Sequence, residues 1–308
     1  MNLSSATTRG SLSIAIGAGL WGLFWIPLRH LDSLGVNGLW SVALVSLTAT
    51  NAALIIVIVQ RESAALWRRD VLLVALPLGL STVLYFAGVL FSDVIRVVFL
   101  FYLLPVWTTL AARVLYGERI QAGRYGVIAA ALVGLWLLLG GGARLPLPSN
   151  FGDACGLAAG FCWGVSLARL RGHASTPPLV TTAATLTVAS VLALAAALVL
   201  PLFSVTTDGG STASAALVPE RSTVFAAMPL AIAFGVLVLF PALFSQVWGA
   251  RLVPAPTAAL LTMSEILVAT LSATWLIGTE LEPLAWLGGG LIVAAVLLDL
   301  KLQQAGSG

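Results

Sequence analysis

Long apolar runs, separated by short polar or charged breaks, follow one another along almost the whole chain. Each run approaches the roughly 20 residues that an α-helix needs to cross the hydrocarbon core of a bilayer. Backbone amides find no other hydrogen-bond partner in lipid, so each run predicts a helix. The runs cover residues 11–29, 38–60, 71–91, 94–115, 124–142, 150–170, 179–202, 223–250, 254–277 and 284–301. This pattern predicts an all-α polytopic membrane protein with ten transmembrane helices, and nine is the alternative count.

The composition excludes an ordinary soluble fold. Of the 308 residues, 59% are hydrophobic and only 9% are charged, whereas soluble domains contain roughly 25% charged residues. A net charge of +3 would suit a nucleic-acid partner in a soluble protein, but here the charges lie between the apolar runs. They therefore predict how the chain is oriented in a lipid bilayer, and no nucleic-acid partner is expected.

The lysines and arginines are divided unevenly between the two sides of the predicted membrane. Eleven of the 15 lie on alternate connections that include both termini, and four lie on the opposite side. Because positively charged loops stay in the cytoplasm, both termini are expected to be cytoplasmic. The four residues on the far side are Arg29, Arg96, Arg144 and Arg221.

The first half of the chain, residues 1–148, aligns weakly but repeatedly with the second half, residues 149–308. The matched pairs are Trp21-Gly22 with Trp163-Gly164, Pro77-Leu78 with Pro229-Leu230, Phe91-Ser92 with Phe244-Ser245, and the stretch Thr109 to Gly117 with Thr270 to Gly278. All four occur in the same order in both halves. Each half contains five spans, and five is odd, so the second half must enter the membrane in the opposite orientation. The alignment predicts two inverted repeats, which are common in secondary transporters.

The fourth span of each half ends in an apolar stretch followed by glycine and glutamate. This motif is Gly117-Glu118 in the first half and Gly278-Thr279-Glu280, with one residue inserted, in the second. The halves resemble tandem EamA-type repeats of the drug/metabolite transporter superfamily, whose second repeat commonly has Glu-Pro in the middle of its fourth span. Here Glu265 matches and Ile266 replaces the proline. By aromatic content and length, the chain is most similar to the YddG-type amino acid exporters of that superfamily.

The resemblance implies a secondary transporter that works without a cofactor. It would export small neutral, mostly hydrophobic or aromatic amino acids from the cytoplasm across a bacterial inner membrane. No buried arginine is available to bind the carboxylate of a substrate. Backbone amides or a side chain within a span, such as Gln246, would have to bind it. Other metabolites and lipophilic cations therefore stay open as alternative substrates.

Glu265 stands out because an ionisable side chain in the middle of a span is costly to bury. One interpretation is a site for a substrate ammonium group or for a coupling proton. The other is a protonated glutamic acid that hydrogen-bonds to a neighbouring helix. The sequence leaves both interpretations open.

Aromatic side chains within the spans are the second functional signal. Trp21 and Trp163 are equivalent in the two halves, and each precedes a glycine that lets helices approach closely. Together with Tyr85 and Tyr102, they are predicted to form aromatic walls that stack on an apolar solute and attract its ammonium group. Packing in an ordinary core is the alternative for each of them.

Pro77 and Pro229 occupy equivalent places in spans three and eight and are predicted hinges, because proline removes a helical hydrogen bond. A second feature is the small-residue stripe of Gly156, Gly160 and Gly164 on span six. It suits close helix packing either within the bundle or between two copies of the chain, so a homodimer stays open.

The sequence argues against an intramembrane enzyme and against direct use of ATP. Its two histidines, His30 and His173, lie at span ends and form no H-E-x-x-H motif, and there is no Walker A loop. No metal site is predicted. Transport would then be facilitated or coupled to an ion, with protons as the candidate because Glu265 lies in mid-span.

Overall fold

The computed structural model describes residues 5–36, 38–118, 122–142, 147–172, 176–199, 218–278 and 281–305. In these ranges the regular structure is helical, and ten main helices follow one another along the chain. They are α1 (Ser5–Ser33), α2 (Leu39–Val59), α3 (Arg69–Phe91), α4 (Val94–Tyr116), α5 (Ala122–Leu138), α6 (Phe151–Gly172), α7 (Pro178–Val199), α8 (Arg221–Ala250), α9 (Ala255–Ile277) and α10 (Pro283–Ala305). Four residues named in the sequence analysis lie outside the described ranges: Arg144, His173, Thr279 and Glu280.

Nine of these helices in the described part of the chain are long and apolar enough to cross a membrane. The exception is α5, whose 17 residues span about 26 Å, slightly less than the roughly 30 Å of a hydrocarbon core. The prediction of an all-α polytopic membrane protein is thereby confirmed. The count of ten transmembrane helices stays a prediction.

Three helices are interrupted where the sequence predicted continuous spans. The breaks lie at Leu23-Phe24 in α1, at Tyr102-Leu103 in α4 and at Met263 in α9. Pro27 and Pro105 account for the first two, because each lacks the N–H that would bond to the carbonyl four residues earlier, across the break. No proline explains the third break. In the repeat alignment, however, Met263 falls on Tyr102, so α4 and α9 are interrupted at equivalent positions.

The two predicted hinge prolines lie elsewhere. Helix α3 continues through Pro77, and α8 continues through Pro229. Irregular geometry in α8 comes later, as a π turn over Gly235–Leu239 that directly precedes Phe240 and Pro241. Turns of this kind are frequent at functional sites in helices. A hinge at Pro77 or Pro229 stays a prediction.

Helices of the two halves pack against one another in reciprocal pairs. Helix α3 packs on α6 as α8 packs on α1, and α4 packs on α6 as α9 packs on α1. Likewise, α3 packs on α7 as α8 packs on α2. Two further contacts join α2 to α7 and α5 to α10. The repeat alignment relates each of the first five helices to the helix five places later. It therefore converts each of the first three contacts into its counterpart, and it maps the α2–α7 and α5–α10 contacts onto themselves.

Glycines bring two of these helix pairs close together at aligned positions. A Cβ atom on Gly22 of α1 would lie 3.0 Å from Val268 Cβ of α9. One on Gly164 of α6 would lie 2.9 Å from Trp107 Cβ of α4. Gly22 aligns with Gly164, and Val268 aligns with Trp107. The contact between α1 and α9 therefore has its counterpart in the contact between α6 and α4.

Two buried aspartates of the second half pair with arginines of the first half. Asp153, at the start of α6, lies 3.5 Å from Arg96 Nη1, and Asp299, near the end of α10, lies 3.2 Å from Arg124 Nε. The Thr257 hydroxyl also donates a 2.5 Å hydrogen bond to Asp299. Both carboxylates are completely shielded from solvent, where an ion pair with further hydrogen bonds offsets the cost of desolvation.

Candidate substrate site

A small cavity lies where α1, α3 and α4 of the first half meet α6 and α9 of the second. Its lining residues are Trp21, Ser81, Thr82, Tyr85, Phe101, Trp163 and Glu265. The volume is about 10 Å³, which is little more than one water molecule needs. An amino acid therefore enters this cavity only if the surrounding helices move apart.

Aromatic rings in edge-to-face contact form the walls of the cavity. The ring centroids of Trp21 and Trp163 are 5.7 Å apart, and those of Phe101 and Trp163 are 6.0 Å apart. Tyr85 meets Phe101 at 4.9 Å, and Phe24 stacks on the outer side of Trp21 at 5.6 Å. These separations are typical of favourable aromatic pairs. The predicted pair of equivalent tryptophans thus meets directly at the centre of the molecule.

Local backbone features place these rings. Trp21 lies just before the interruption of α1, and Phe101 lies just before that of α4. Trp163 lies between Gly160 and Gly164, which bring α6 against the backbone of α4: a Cβ atom on Gly160 would lie 3.1 Å from Phe101 Cα. The glycine stripe on α6 therefore serves packing within the bundle in this structure.

Glu265 faces the same cavity from α9, two residues after the break at Met263. Its exposed fraction is 7%. The Glu265 carboxyl shares a hydrogen bond with the hydroxyl of Tyr102, which lies at the break of α4. The two interrupted helices are therefore linked at their equivalent breaks by one hydrogen bond.

Polar groups on α3 complete the lining. The Ser81 hydroxyl donates to the Ala159 carbonyl at 2.7 Å, and the Thr82 hydroxyl donates to the Leu78 carbonyl at 3.3 Å. By contrast, the indole nitrogen of Trp163 is buried and has no hydrogen-bond partner among the described residues. The lining thus contains one acidic side chain and one unpartnered donor.

The structure brings four of the six predicted substrate residues into one cavity: Trp21, Tyr85, Trp163 and Glu265. Tyr102 lies behind it, 1% exposed, with its ring 5.1 Å from that of Phe101. Gln246 is not part of the lining. Its side-chain oxygen accepts a 3.4 Å hydrogen bond from Thr262, on the other side of the α9 break from Glu265.

Three lining residues were not predicted. Ser81 and Thr82 lie one helical turn before Tyr85, so the helical period places them near the same face and could have revealed them. Phe101 could not be inferred in this way, because its position depends on an interruption of α4 that the continuous apolar run conceals. In the described ranges, no three His, Cys, Asp or Glu side chains are grouped to hold a metal ion.

Comparison with known proteins finds one family that is similar to the first half of the chain. Residues 8–140 match the sequence profile described as "EamA-like transporter family". The first half of the chain is similar to EamA-like transporters. The resemblance to EamA-type repeats is confirmed at this level, whereas the narrower likeness to YddG-type exporters stays a prediction. The search of curated proteins gave no match.

The whole fold also occurs among solved structures. A chain titled "Crystal structure of protein" superimposes on this one with a TM-score of 0.70, covering 100% of both chains at 18% sequence identity. At this identity the likeness concerns the fold alone. Because it extends over both halves, the arrangement of the second half does not depend on the family match to the first.

Proposed function

We propose that this protein is a secondary transporter that exports small neutral, mostly hydrophobic or aromatic amino acids by alternating access. The family match to its first half supports the transport of small molecules. The observation that carries the proposal is the central cavity, lined from both halves by Trp21, Trp163 and Glu265. A site at the interface of two halves is accessible from either side of the membrane when the halves tilt.

The proposal includes two inverted five-helix repeats, residues 1–148 and 149–308, and ten spans. Reciprocal helix pairs support the repeats, because an internal two-fold relation produces such pairs. The equivalent contacts of Gly22 and Gly164 support the same relation at atomic scale. In this arrangement α5 is the counterpart of α10 and crosses the membrane beside it.

The cavity of about 10 Å³ is too small to hold an amino acid. Transport requires the aromatic walls to separate and to close again around the solute. Interrupted helices suit this movement, since their breaks have already given up backbone hydrogen bonds that a continuous helix would have to break.

The chemistry of the lining favours an apolar or aromatic solute with a positive end. Tryptophan and phenylalanine faces attract both aromatic rings and cations, and Glu265 offers a carboxyl to an ammonium group. A specific alternative follows from the same residues, because an aromatic cage with one acidic side chain also suits a lipophilic cation. Export of such cations or of other metabolites is therefore the second candidate function.

We place the protein in a bacterial inner membrane with both termini in the cytoplasm. The excess of Lys and Arg on the connections next to the termini supports this orientation. Transport from the cytoplasm outward is inferred from the resemblance to exporters. Lipid and the transported solute are its proposed partners, together with protons if transport is coupled.

Flux measurements in liposomes test the proposal. Purified protein is reconstituted in vesicles loaded with radiolabelled neutral amino acids or with lipophilic cations, with and without a pH gradient. We expect efflux of phenylalanine and leucine, reduced about ten-fold or more by Trp163→Ala, which removes the ring that the solute contacts. Trp275→Ala is the matched control, because Trp275 is 85% exposed on the outside of α9. Efflux of cations without efflux of any amino acid would select the second candidate.

A further inference from the structure

We infer that the indole N–H of Trp163 binds the carboxylate of the transported solute, and that the cavity thereby selects zwitterions over simple amines. This inference rests on the proposed function, since it assumes that the central cavity is the substrate site. It supplies the carboxylate partner that the sequence did not reveal, because no arginine or lysine lies in the lining.

The first observation is that this donor has nothing to bind. Trp163 is 3% exposed, and its Nε1 atom has no hydrogen-bond partner among the described residues. A buried donor without a partner is destabilising by an amount comparable to a lost hydrogen bond. Buried tryptophan N–H groups usually find a partner for that reason. Because Trp163 also lines the cavity, its N–H group is suited to a partner that arrives with the solute.

The second observation concerns the other polar groups of the lining. The hydroxyls of Ser81 and Thr82 already donate to backbone carbonyls of α6 and α3. The Tyr85 hydroxyl can donate or accept, and so it accommodates many kinds of solute. An indole N–H can only donate. Only an acceptor such as a carboxylate oxygen satisfies Trp163.

The third observation is that Glu265 faces the same cavity. An α-amino acid carries its ammonium and carboxylate groups on one carbon atom, so it presents a donor and an acceptor side by side. Such a solute can satisfy Glu265 and Trp163 together. A simple amine leaves the indole N–H without a partner, and a simple carboxylate meets the acidic side chain.

The test compares three solutes that share the same phenyl ring: phenylalanine, phenethylamine and phenylpropanoate. Equilibrium binding to purified protein and efflux from proteoliposomes are measured for the wild type and for Trp163→Phe. The phenyl variant keeps an aromatic face and loses the N–H. Replacement of Trp163 by benzothienylalanine is the isosteric second variant, in which sulfur takes the place of the N–H. Trp136→Phe is the matched control, because Trp136 Nε1 is also buried without a partner but lies away from the cavity.

We expect the wild type to bind phenylalanine more tightly than either single-charge analogue. Both changes at Trp163 should weaken phenylalanine binding about ten- to a hundred-fold, the usual factor for a hydrogen bond to a charged group. Phenethylamine binding should change less than about two-fold, and Trp136→Phe should change neither. Equal losses for phenylalanine and phenethylamine would overturn the inference and leave the proposed function standing. If the wild type binds no amino acid, the proposed function fails as well.

Discussion

At the scale of single residues, the position of Glu265 is compatible with both of the roles between which the sequence could not choose. Its hydrogen bond to Tyr102 joins α9 to α4, as a structural glutamic acid would. At the same time it lines the cavity, as a substrate or proton site would. Both roles are compatible if proton or substrate binding at Glu265 changes the link between the two interrupted helices.

Glu265→Gln separates these roles, because the amide keeps the shape of the side chain but cannot exchange a proton. We expect efflux driven by a pH gradient to fall to the rate seen without a gradient. Flux measured in proteoliposomes with and without the gradient checks this. Glu220→Gln, at an exposed position before α8, is the matched control. A variant that still responds fully to the gradient would assign Glu265 a structural role alone.

Gly22 is a second residue whose role can be isolated. Val268 Cβ and the Ala269 backbone nitrogen would lie 3.0 and 3.1 Å from a Cβ atom there. Overpacking of this kind costs typically about 1–3 kcal/mol. We therefore expect Gly22→Val to lower the apparent unfolding temperature in detergent and to slow efflux.

The control for this change is Gly126→Val in α5, where a Cβ atom would have no neighbour within 4 Å. It introduces the same β-branched side chain into a helix without the steric contact. An equal loss of thermal stability in both variants would show that helix propensity, and not the contact between α1 and α9, explains the result.

At the scale of elements, α1, α4 and α9 are interrupted, whereas α3 and α6, which also line the cavity, are continuous. Pro77 and Pro229 belong to a different class, because the helices around them remain intact. A proline in an intact helix removes one hydrogen bond without opening the chain. Such a proline therefore makes the helix easier to bend at that point without interrupting it.

Replacement of these prolines by alanine tests their predicted hinge role. Alanine restores the missing N–H, so Pro77→Ala and Pro229→Ala should stiffen α3 and α8 and slow the efflux rate several-fold. Substrate affinity should stay the same, which a binding isotherm checks. Pro177→Ala, next to the first turn of α7, is the control, because no helical hydrogen bond is missing there. Unchanged rates in both hinge variants would contradict the prediction.

The elements also show what the sequence could and could not predict. Apolar runs located the helices to within a few residues, for instance 71–91 for Arg69–Phe91, since lipid imposes helix on any long apolar segment. Hydropathy alone could not locate the breaks, because it is the same on both sides of Tyr102 or Met263, although Pro27 and Pro105 mark two of the three. The paired tryptophans were found from the repeat. Phe101 was missed because its place depends on the break that follows it.

At the scale of the whole molecule, the two halves form a single body with the candidate site between them. The helices of each half contact the other half at least as closely as their own neighbours in sequence. The charge distribution then predicts which way this body faces. Orientation is independent of the substrate and can be tested without a transport assay.

Cysteine labelling tests the predicted orientation. In a background with Cys155→Ser and Cys162→Ser, one variant carries Glu62→Cys and another carries Glu220→Cys. A membrane-impermeant maleimide added to intact cells should label the second and leave the first unlabelled until the membrane is permeabilised. Glu62 lies on the connection predicted to be cytoplasmic, and Glu220 on the opposite side. Labelling of both variants from outside would contradict the predicted topology. Labelling of Glu62→Cys alone would show that the protein has the opposite orientation.

The ion pairs of Asp153 and Asp299 bear on how the protein is made. Both arginine partners, Arg96 and Arg124, belong to the half that leaves the ribosome first. Both arginines are therefore synthesised before either carboxylate exists. The two ion pairs can therefore form only when the second half has been made. A chain that stops after its first half lacks both aspartates, so neither ion pair can form.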